Sequence, residues 1–338
     1  MASAAEQVPR RKTPSWLFPV IGYGVSVVCL IWVYWDFDWK TELPRLAAAD
    51  WRMVTLAAMA DLLVYVTQGW RWSLVLKPVG RPSFLRSIQA IYIGLFANEV
   101  LPLRTGEVIR CYLQARWSRI PFSVILSSAV VERLFDGIWL ALGFLFVSRF
   151  GPDLPNYLLH GEKVLAGALA FTAVLLAIVI FGKHHAHRAV LRSRWSRVLW
   201  HVVEALHTMG RSRWFYAAFG VSLAYFALQI VPIYALMKGY GLDLSWGVAA
   251  VLLVVLRIGT ILPQAPGNVG SFQFFTVLAL QLFGVDKSTA IGFSTILFVV
   301  TTVPLWLGGL VAVLFAGTNI MHLQRAAHET MNSTASRR

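Results

Sequence analysis

The stretch Leu101-Pro102-Leu103-Arg104-Thr105-Gly106 interrupts an apolar segment, and Leu262-Pro263-Gln264-Ala265-Pro266-Gly267 interrupts another 161 positions later. Both read Leu-Pro-x-x-x-Gly. Proline removes a backbone donor and clashes with the preceding turn, and glycine loosens the backbone, so each stretch breaks a helix. In hydrocarbon the freed amide groups survive only inside protein or beside a water-filled cavity. Two broken segments at corresponding places in two halves indicate the binding site of a transporter.

Composition places the chain among helical membrane proteins. Of its 338 residues, 57% are hydrophobic and only 14% are charged, a balance that soluble domains rarely show. We predict nine apolar segments, several of them long enough to cross a bilayer. They lie at 17–35, 54–76, 88–103, 122–148, 164–182, 215–237, 246–263, 270–284 and 289–316. The first has no small-residue cleavage site after it, so we expect an uncleaved span.

The charge distribution predicts which loops face the cytoplasm. If the N-terminus is inside and the broken segments return to the side they entered, the inner regions hold 20 Lys/Arg against 4 Asp/Glu. These regions are 1–16, 77–87, 103–121, 183–214 and 317–338. The positive-inside rule therefore accounts for the net charge of +14, and we expect anionic lipid headgroups rather than nucleic acid as partners. Making 88–103 an ordinary span would invert every later loop, which the same rule disfavours.

The order of segments predicts two halves of opposite orientation. A shift of 161 lays 54–147 over 215–308, and the broken segments coincide. We expect an all-α polytopic protein of two inverted-topology repeats, each with a broken or re-entrant helix. The predicted organisation is a cytoplasmic tail at 1–16, a transmembrane domain at 17–320 and a cytoplasmic tail at 321–338. Within the domain, repeat one covers about 17–148 and repeat two about 164–316, with a basic cytoplasmic linker at 183–214.

Around the first break lies the densest group of polar residues, from Asn98 to Arg110. On a helix beginning after Gly106, Glu107 and Arg110 share a face. Arg104 and Arg110 have the forked guanidinium groups that bind phosphate oxygens, so we predict that they grip a headgroup, with Asn98 nearby. The alternative is an ordinary loop with a Glu107–Arg110 surface pair.

Other charges lie inside predicted spans, where they are costly and face a cavity or a partner. Glu132, Arg133 and Asp136 lie within 122–148. They either gate or couple transport or form a buried ion pair with Arg71, Arg257 or the first break. Asp61 is either a carboxylate that couples transport to protons or a helix-packing contact, and the sequence does not decide between the two.

Arg71 lies near the cytoplasmic end of 54–76, and we expect it to snorkel to the surface rather than to bind substrate.

The second break has amides and hydroxyls but no charge. Backbone N–H groups at the start of the following half-helix are suited to an anion. We predict substrate binding by Gln264, Asn268 and Gln273, because these amides cluster at membrane depth. The broken-helix residues of the two motifs are Pro102, Gly106, Pro263, Pro266, Gly267 and Gly270.

These residues resemble the transmembrane, flippase-like domain of lysylphosphatidylglycerol synthases and its stand-alone UPF0104 relatives. The matching pieces are Asn98 to Arg110 (N-x-x-x-P-x-R-x-G-E-x-x-R), Glu132-Arg133-x-x-Asp136 and Pro266-Gly267-x-x-Gly270, over about residues 15–320. The resemblance implies a bacterial inner-membrane protein that moves, or helps to move, a lipid between leaflets. Where the family often has an acidic residue after the second break, this chain has Gln273, which argues against proton coupling at that position.

The expected function is thus translocation of an anionic phospholipid or a lipid-linked phosphate, without a cofactor or metal. Lysyl transfer is not expected, because the soluble transferase domain of the synthases does not follow this region. The alternatives are a membrane-embedded enzyme that uses Glu132 and Asp136 as acid and base, and a non-catalytic scaffold for lipid-synthesis enzymes.

Overall fold

The computed structural model describes residues 17–35, 37–101, 105–150, 167, 207–259, 265–317, 325–326 and 329. Within these ranges the chain forms ten α-helices of nine or more residues. They are α1 Leu17–Tyr34, α2 Trp39–Ala47, α3 Trp51–Leu76, α4 Phe84–Val100, α5 Gly106–Ser118, α6 Phe122–Phe150, α7 Arg213–Gly239, α8 Trp246–Gly259, α9 Ser271–Gln281 and α10 Lys287–Ala316. A short 3-10 turn, Pro266–Asn268, precedes α9.

Length and composition make α3, α7 and α10 able to cross a membrane, and α1 with α2, bent by 93°, form a further candidate among the described residues. The chain is therefore an all-α polytopic membrane protein, as the sequence predicts. The apolar segments match the observed helices to within a few residues, although the sequence analysis missed α2. Segment 164–182, except residue 167, and residues 183–206 of the linker lie outside the described residues.

Side-chain caps fix where the long helices begin. The carboxylate of Asp50 accepts from the backbone N–H of Arg52 at the start of α3. The Ser212 hydroxyl accepts from Trp214 in α7, and Asp286 accepts from Ser288 and Thr289 in α10. Such caps satisfy amide donors that have no partner within the helix.

Helices α3 and α7, which pack against each other along most of their lengths, run antiparallel. At one end the Asp50 backbone N–H donates to the Gly239 carbonyl at 2.9 Å. At the other end, Lys77 lies 3.8 Å above the Trp214 ring. We refer to these as the Asp50 end and the Lys77 end. Both helices therefore connect the same two faces of the molecule.

The helices α4 and α5 form a hairpin that enters and leaves at the Lys77 end. Near its mouth, Gln114 of α5 donates to the Ser87 hydroxyl of α4 at 3.1 Å, and Arg86 lies 4.9 Å from the Trp117 ring. The first broken segment is thus re-entrant, as expected. In the second half, Gly259 at the end of α8 packs against Phe275 of α9, across the second break.

The packing pattern relates the two halves. The helices pair in the same way in both halves. When α3, α4, α5 and α6 are exchanged with α7, α8, α9 and α10 respectively, the set of neighbouring helix pairs stays the same. For example, α4 packs on α10 and α8 packs on α6. One apolar core surrounds the hairpin α4–α5, and a second surrounds α8–α9. These contacts support the inverted-repeat prediction, which remains a prediction.

Candidate functional site

A closed ring of alternating ion pairs lies between α3, α5 and α6. We call this set the ion-pair ring. In order around the ring, its members are Arg71, Glu132, Arg110, Glu107, Arg133 and Asp136. Three guanidinium groups and three carboxylates balance one another, so the ring has no net charge.

The inner edge of the ring is inaccessible to solvent. Arg71 Nη2 lies 3.2 Å from Glu132 Oε1, and Arg110 Nη1 lies 2.8 Å from Glu132 Oε2. The exposed fraction of the side chain is 0% for Arg71, 2% for Arg110 and 0% for Glu132. A buried carboxylate shared by two buried arginines is compensated on both of its oxygens, as burial of charge requires.

The outer edge is accessible. Arg133 Nη2 lies 3.0 Å from Glu107 Oε1, and Arg133 Nη1 lies 3.3 Å from Asp136 Oδ2. The side chain of Arg133 is 51% exposed, that of Glu107 36% and that of Asp136 25%. The ring therefore presents one arginine and two carboxylates to the outside and hides the rest.

Two contacts join the edges. Arg71 Nη1 lies 2.5 Å from Asp136 Oδ1, and Arg110 Nη2 lies 2.7 Å from Glu107 Oε2. Helical spacing explains part of this geometry, since Glu107 and Arg110, and likewise Arg133 and Asp136, are three residues apart on one helix face.

Aromatic rings complete the environment of the two buried arginines. The Arg71 guanidinium lies 4.4 Å from the Tyr225 ring of α7, and that of Arg110 lies 4.7 Å from the Trp72 ring. The indole N–H of Trp72 donates to the Ser128 hydroxyl of α6 at 2.9 Å. Cation–π contact favours a desolvated guanidinium, so these rings stabilise the ring's inner edge.

At the first break, one side chain bonds the backbone and two glycines allow the helices to approach closely. Asn98 Oδ1 accepts from the backbone N–H of Gly106 at 2.8 Å, so an amide at the break has a partner. A Cβ on Gly106 would overlap the Gly94 carbonyl of α4, and a Cβ on Gly94 would lie 2.8 Å from Arg110 Cβ. Glycine at these positions lets α5 approach α4 closely enough to place Arg110 in the ring.

The second break has an equivalent arrangement. Gln273 Oε1 accepts from the backbone N–H of Gly270 at 2.8 Å, and Ser26 Oγ of α1 accepts from the Ala265 N–H at 3.1 Å. Gly270 has φ +86°, and a Cβ there would overlap the Ser26 carbonyl. These side chains therefore satisfy two backbone amides beside the break, as membrane depth demands.

The two breaks meet. The turn Pro266–Asn268 packs against α4, and a Cβ on Gly267 would lie 2.9 Å from Glu99 Oε2. Glu99 Oε2 also accepts from the Trp306 indole of α10 at 3.5 Å. Residues from both broken segments thus lie side by side within the bundle.

The structure brings together four of the predicted gating residues, Glu107, Glu132, Arg133 and Asp136, and joins them to Arg110. In this conformation Arg110 is bound by two carboxylates, Asn98 by Gly106 and Gln273 by Gly270. Asp61 and Asn268 lie elsewhere in the bundle. Pro102, Arg104, Pro263 and Gln264 lie outside the described residues, so the substrate-binding roles of these positions stay predictions.

The expectation that Arg71 snorkels is wrong, because its side chain is fully buried and paired with Glu132 and Asp136. Of the alternatives for Glu132 and Asp136, an ion pair with Arg71 is confirmed. The sequence does carry a signal for this pairing, namely the depth of Arg71 in the helix. Arg71 lies six positions before Lys77, about 9 Å along the helix axis, and an arginine there has to pair when its face turns inward.

The fold and the site define the class, a helical membrane protein with two broken segments and a compensated cluster of charges inside the bundle. The family model for the lysylphosphatidylglycerol synthase TM region matches residues 20–309. The chain therefore belongs to this family, as its motifs indicate.

Named relatives are distant. Glycosyltransferase AglD of Haloferax volcanii is 25% identical over 317 residues, which cover 80% of this chain and 50% of AglD. A UPF0104 membrane protein of Methanothermobacter thermautotrophicus is 22% identical over 256 residues, covering 70% of this chain and 75% of the relative. UPF0104 membrane protein MJ1595 of Methanocaldococcus jannaschii is 30% identical over 134 residues, 38% of each chain. The chain thus spans about half the length of AglD.

Proposed function

We propose that this protein translocates an anionic phospholipid or a lipid-linked phosphate between the leaflets of a bacterial inner membrane, with both termini in the cytoplasm. The observation that carries the proposal is the ion-pair ring, which is neutral, inaccessible on one edge, accessible on the other and adjacent to a re-entrant hairpin. Membership of the family supports it.

Carboxylate and phosphate are alternative partners for one guanidinium group, because both offer two oxygens at matching separation. A headgroup phosphate that reaches the outer edge meets Arg133 first and competes with Glu107 and Asp136 for it. Loss of these contacts opens the ring and exposes Arg110, whose fork then holds the phosphate together with Arg104.

Closing the ring after the lipid leaves restores full pairing of the charges. The six side chains of the ring then carry no unpaired charge in the bundle, where such a charge is costly. Glu107, Glu132, Arg133 and Asp136 act as the gate in this scheme. The lipid undergoes no covalent change, and the scheme requires no cofactor.

Transport is tested with the purified protein in phosphatidylcholine vesicles that contain a trace of headgroup-labelled phosphatidylglycerol or of labelled polyprenyl phosphate. The accessible label is quenched by a membrane-impermeant reductant. We expect the protein to move label into the quenched pool faster than protein-free vesicles do. Equal rates with and without protein, for both lipids, would contradict the proposal.

A second candidate is a membrane component of lipid glycosylation, which the similarity to the glycosyltransferase AglD favours. In that case this chain acts on, or presents, a lipid for glycosyl transfer. Mass spectrometry of the lipid recovered from the same vesicles separates the two candidates. Movement of unmodified lipid supports translocation, whereas a covalently altered headgroup, or activity only with an added glycosyltransferase, supports the second candidate.

A further inference from the structure

Two cations contact the indole ring of Trp214 at the Lys77 end of the bundle. Lys77 Nζ lies 3.8 Å from the centre of the ring, and Arg213 Cζ lies 4.9 Å from the same centre. A positive charge over the face of an indole is favourable, so both contacts are cation–π interactions. We call these three residues the Trp214 site. It joins the C-terminal end of α3 to the first turn of α7 and takes no part in the ion-pair ring.

Within the described residues, no carboxylate balances the two charges of the Trp214 site. The ion pairs that the structure shows there involve neither Lys77 nor Arg213, and the first turn of α7 has no acidic residue. Both cationic residues are exposed, whereas Trp214 is half-buried. The site is therefore a fixed platform with two positive charges that an anion can approach from outside the protein.

Helix length places the Trp214 site at the level of the lipid headgroups. Helix α3 has 26 residues and α7 has 27, so each is about 40 Å long. The hydrocarbon layer is only about 30 Å thick, and the ends of both helices therefore reach the polar region of the membrane. Tryptophan is enriched at this level, and Lys and Arg there attract anionic lipids.

One face of α7 leads from the site into the hydrocarbon layer. Arg213, Tyr216, Gly220 and Leu223 follow one another at intervals of three or four residues, so they share this face. Tyr216 is 62% exposed and Leu223 is 48% exposed, and a Cβ on Gly220 would meet nothing within 4 Å. We call this face the α7 strip. An acyl chain fits along it while the headgroup stays beside Arg213, an advantage that a free phosphate ion lacks.

We propose that Lys77 and Arg213 together bind the phosphate of one anionic phospholipid of the surrounding leaflet, with an acyl chain along the α7 strip. The guanidinium fork of Arg213 is suited to two phosphate oxygens, and the Lys77 ammonium group adds a point charge. The contacts with Trp214 hold both cations at the ends of their helices before the lipid arrives. Binding then places one anion beside two cations that have no other anionic partner in the described part of the chain.

The two positive charges determine which lipid the site selects. Phosphatidylglycerol has a net negative charge, whereas phosphatidylcholine has a quaternary ammonium group beside its phosphate and is neutral overall. Two basic side chains at the membrane surface should favour the anionic lipid by about thirtyfold. Such binding does not require transport, so it is separate from the proposed function of the ion-pair ring.

The test counts the lipids that the purified protein retains in native mass spectrometry, from detergent micelles with equal amounts of phosphatidylglycerol and phosphatidylcholine. We expect the natural protein to retain phosphatidylglycerol preferentially. The double variant Lys77→Gln with Arg213→Gln should bind one phosphatidylglycerol molecule about thirtyfold more weakly. The matched control is Arg81→Gln with Arg86→Gln, which removes two exposed charges at the same end of the bundle and should retain that molecule.

Photocrosslinking of the natural protein with phosphatidylglycerol that has a diazirine in one acyl chain gives a second reading without a variant. We expect adducts on the α7 strip, between Tyr216 and Leu223, and an excess of inorganic phosphate should not reduce them. Equal retention of phosphatidylglycerol by the two double variants, adducts that avoid α7, or loss of the adducts to inorganic phosphate would overturn the inference. Binding at this site by a protein that moves no lipid would instead contradict the proposed function alone.

Discussion

Both arginines that Glu132 binds are buried, whereas Glu107 and Asp136 each bind one buried arginine and the half-exposed Arg133. Arg133, one residue later, has the opposite environment and is half exposed. Adjacent positions on a helix point to different faces, so one sequence motif supplies both a structural anion and an accessible cation.

Glu132→Gln should lower thermal stability strongly, because it leaves Arg71 and Arg110 sharing one neutral amide in a buried place. Removing one partner of a buried pair costs about 3–5 kcal/mol. The measurement is thermal unfolding of purified protein in detergent. Asp243→Asn is the control, since Asp243 is a fully exposed partner of Lys238 and should change the stability little. An unchanged melting temperature for Glu132→Gln would show that the inner edge contributes nothing to folding.

Arg133→Ala should slow lipid movement while the stability stays within about 1 kcal/mol of the natural protein, because exposed ion pairs contribute little to folding. Arg133→Lys should recover only part of the rate, since a point charge lacks the fork that binds two oxygens. Both quantities are measured on the same preparations. Arg52→Ala, an exposed arginine at the Asp50 end of α3, serves as the control. Full transport by Arg133→Ala would remove Arg133 from the gate.

At the scale of elements, the re-entrant hairpin α4–α5 is the feature that puts charged residues inside the bundle. A spanning helix would carry Glu107 and Arg110 out to the opposite surface. The hairpin instead returns them beside α3 and α6, and the Gly94–Gly106 contact fixes how closely the two arms approach.

Gly106→Ala should disrupt the hairpin, because the added methyl group overlaps the Gly94 carbonyl and also lies 2.6 Å from Asn98 Oδ1. Overpacking of this kind costs about 1–3 kcal/mol. Gly137→Ala in α6 is the matched control, since a Cβ there meets nothing within 4 Å and alanine favours a helix. Thermal unfolding should separate the two variants; equal melting temperatures would mean that the arms of the hairpin can part at no cost.

Asp286→Ala should destabilise α10 by about 1 kcal/mol through loss of its N-cap. A hydrogen bond with Thr289 holds the pKa of Asp286 below its ordinary value of 3.8. Because the folded-state pKa is the lower one, the cap's contribution is complete above the ordinary value and is lost as the pH falls through the lowered pKa. Unfolding of the natural protein and of Asp286→Asn, which keeps a cap without this titration, should diverge only in acid. Divergence near neutral pH would contradict the assignment.

At the scale of the whole molecule, antiparallel packing of α3 on α7 relates the two halves and places their hairpins at opposite ends. The first hairpin opens at the Lys77 end, where the described loops are basic. The second hairpin consists of α8 and α9. It begins at Trp246, which contacts Tyr234 near the Asp50 end of α7. The two breaks nevertheless meet inside the bundle, an arrangement that agrees with the proposed transport function.

Single cysteines introduced at Asp243 and Arg81 should react from opposite sides of the membrane, and a cysteine at Arg119 should react from the side of Arg81. Cys29 and Cys111, which are not disulfide-bonded, are first replaced by alanine. Labelling with an impermeant maleimide in oriented vesicles gives the answer. Reaction of Asp243→Cys and Arg81→Cys from one side would exclude the topology, and with it the inverted repeats.

The sequence by itself determined the membrane class, most helix positions and the two breaks, because long apolar runs and the Pro and Gly positions act locally along the chain. It also grouped Glu107 with Arg110 and Glu132 with Asp136, whose spacing puts each pair on one helix face. It did not identify the ion-pair ring. Arg71 lies 61 and 65 positions from its partners Glu132 and Asp136, and only the packing of α3 against α6 decides that they meet. The tertiary structure likewise decided that Asn98 and Gln273 bind the backbone of the breaks, since an amide's partner depends on which donors surround it.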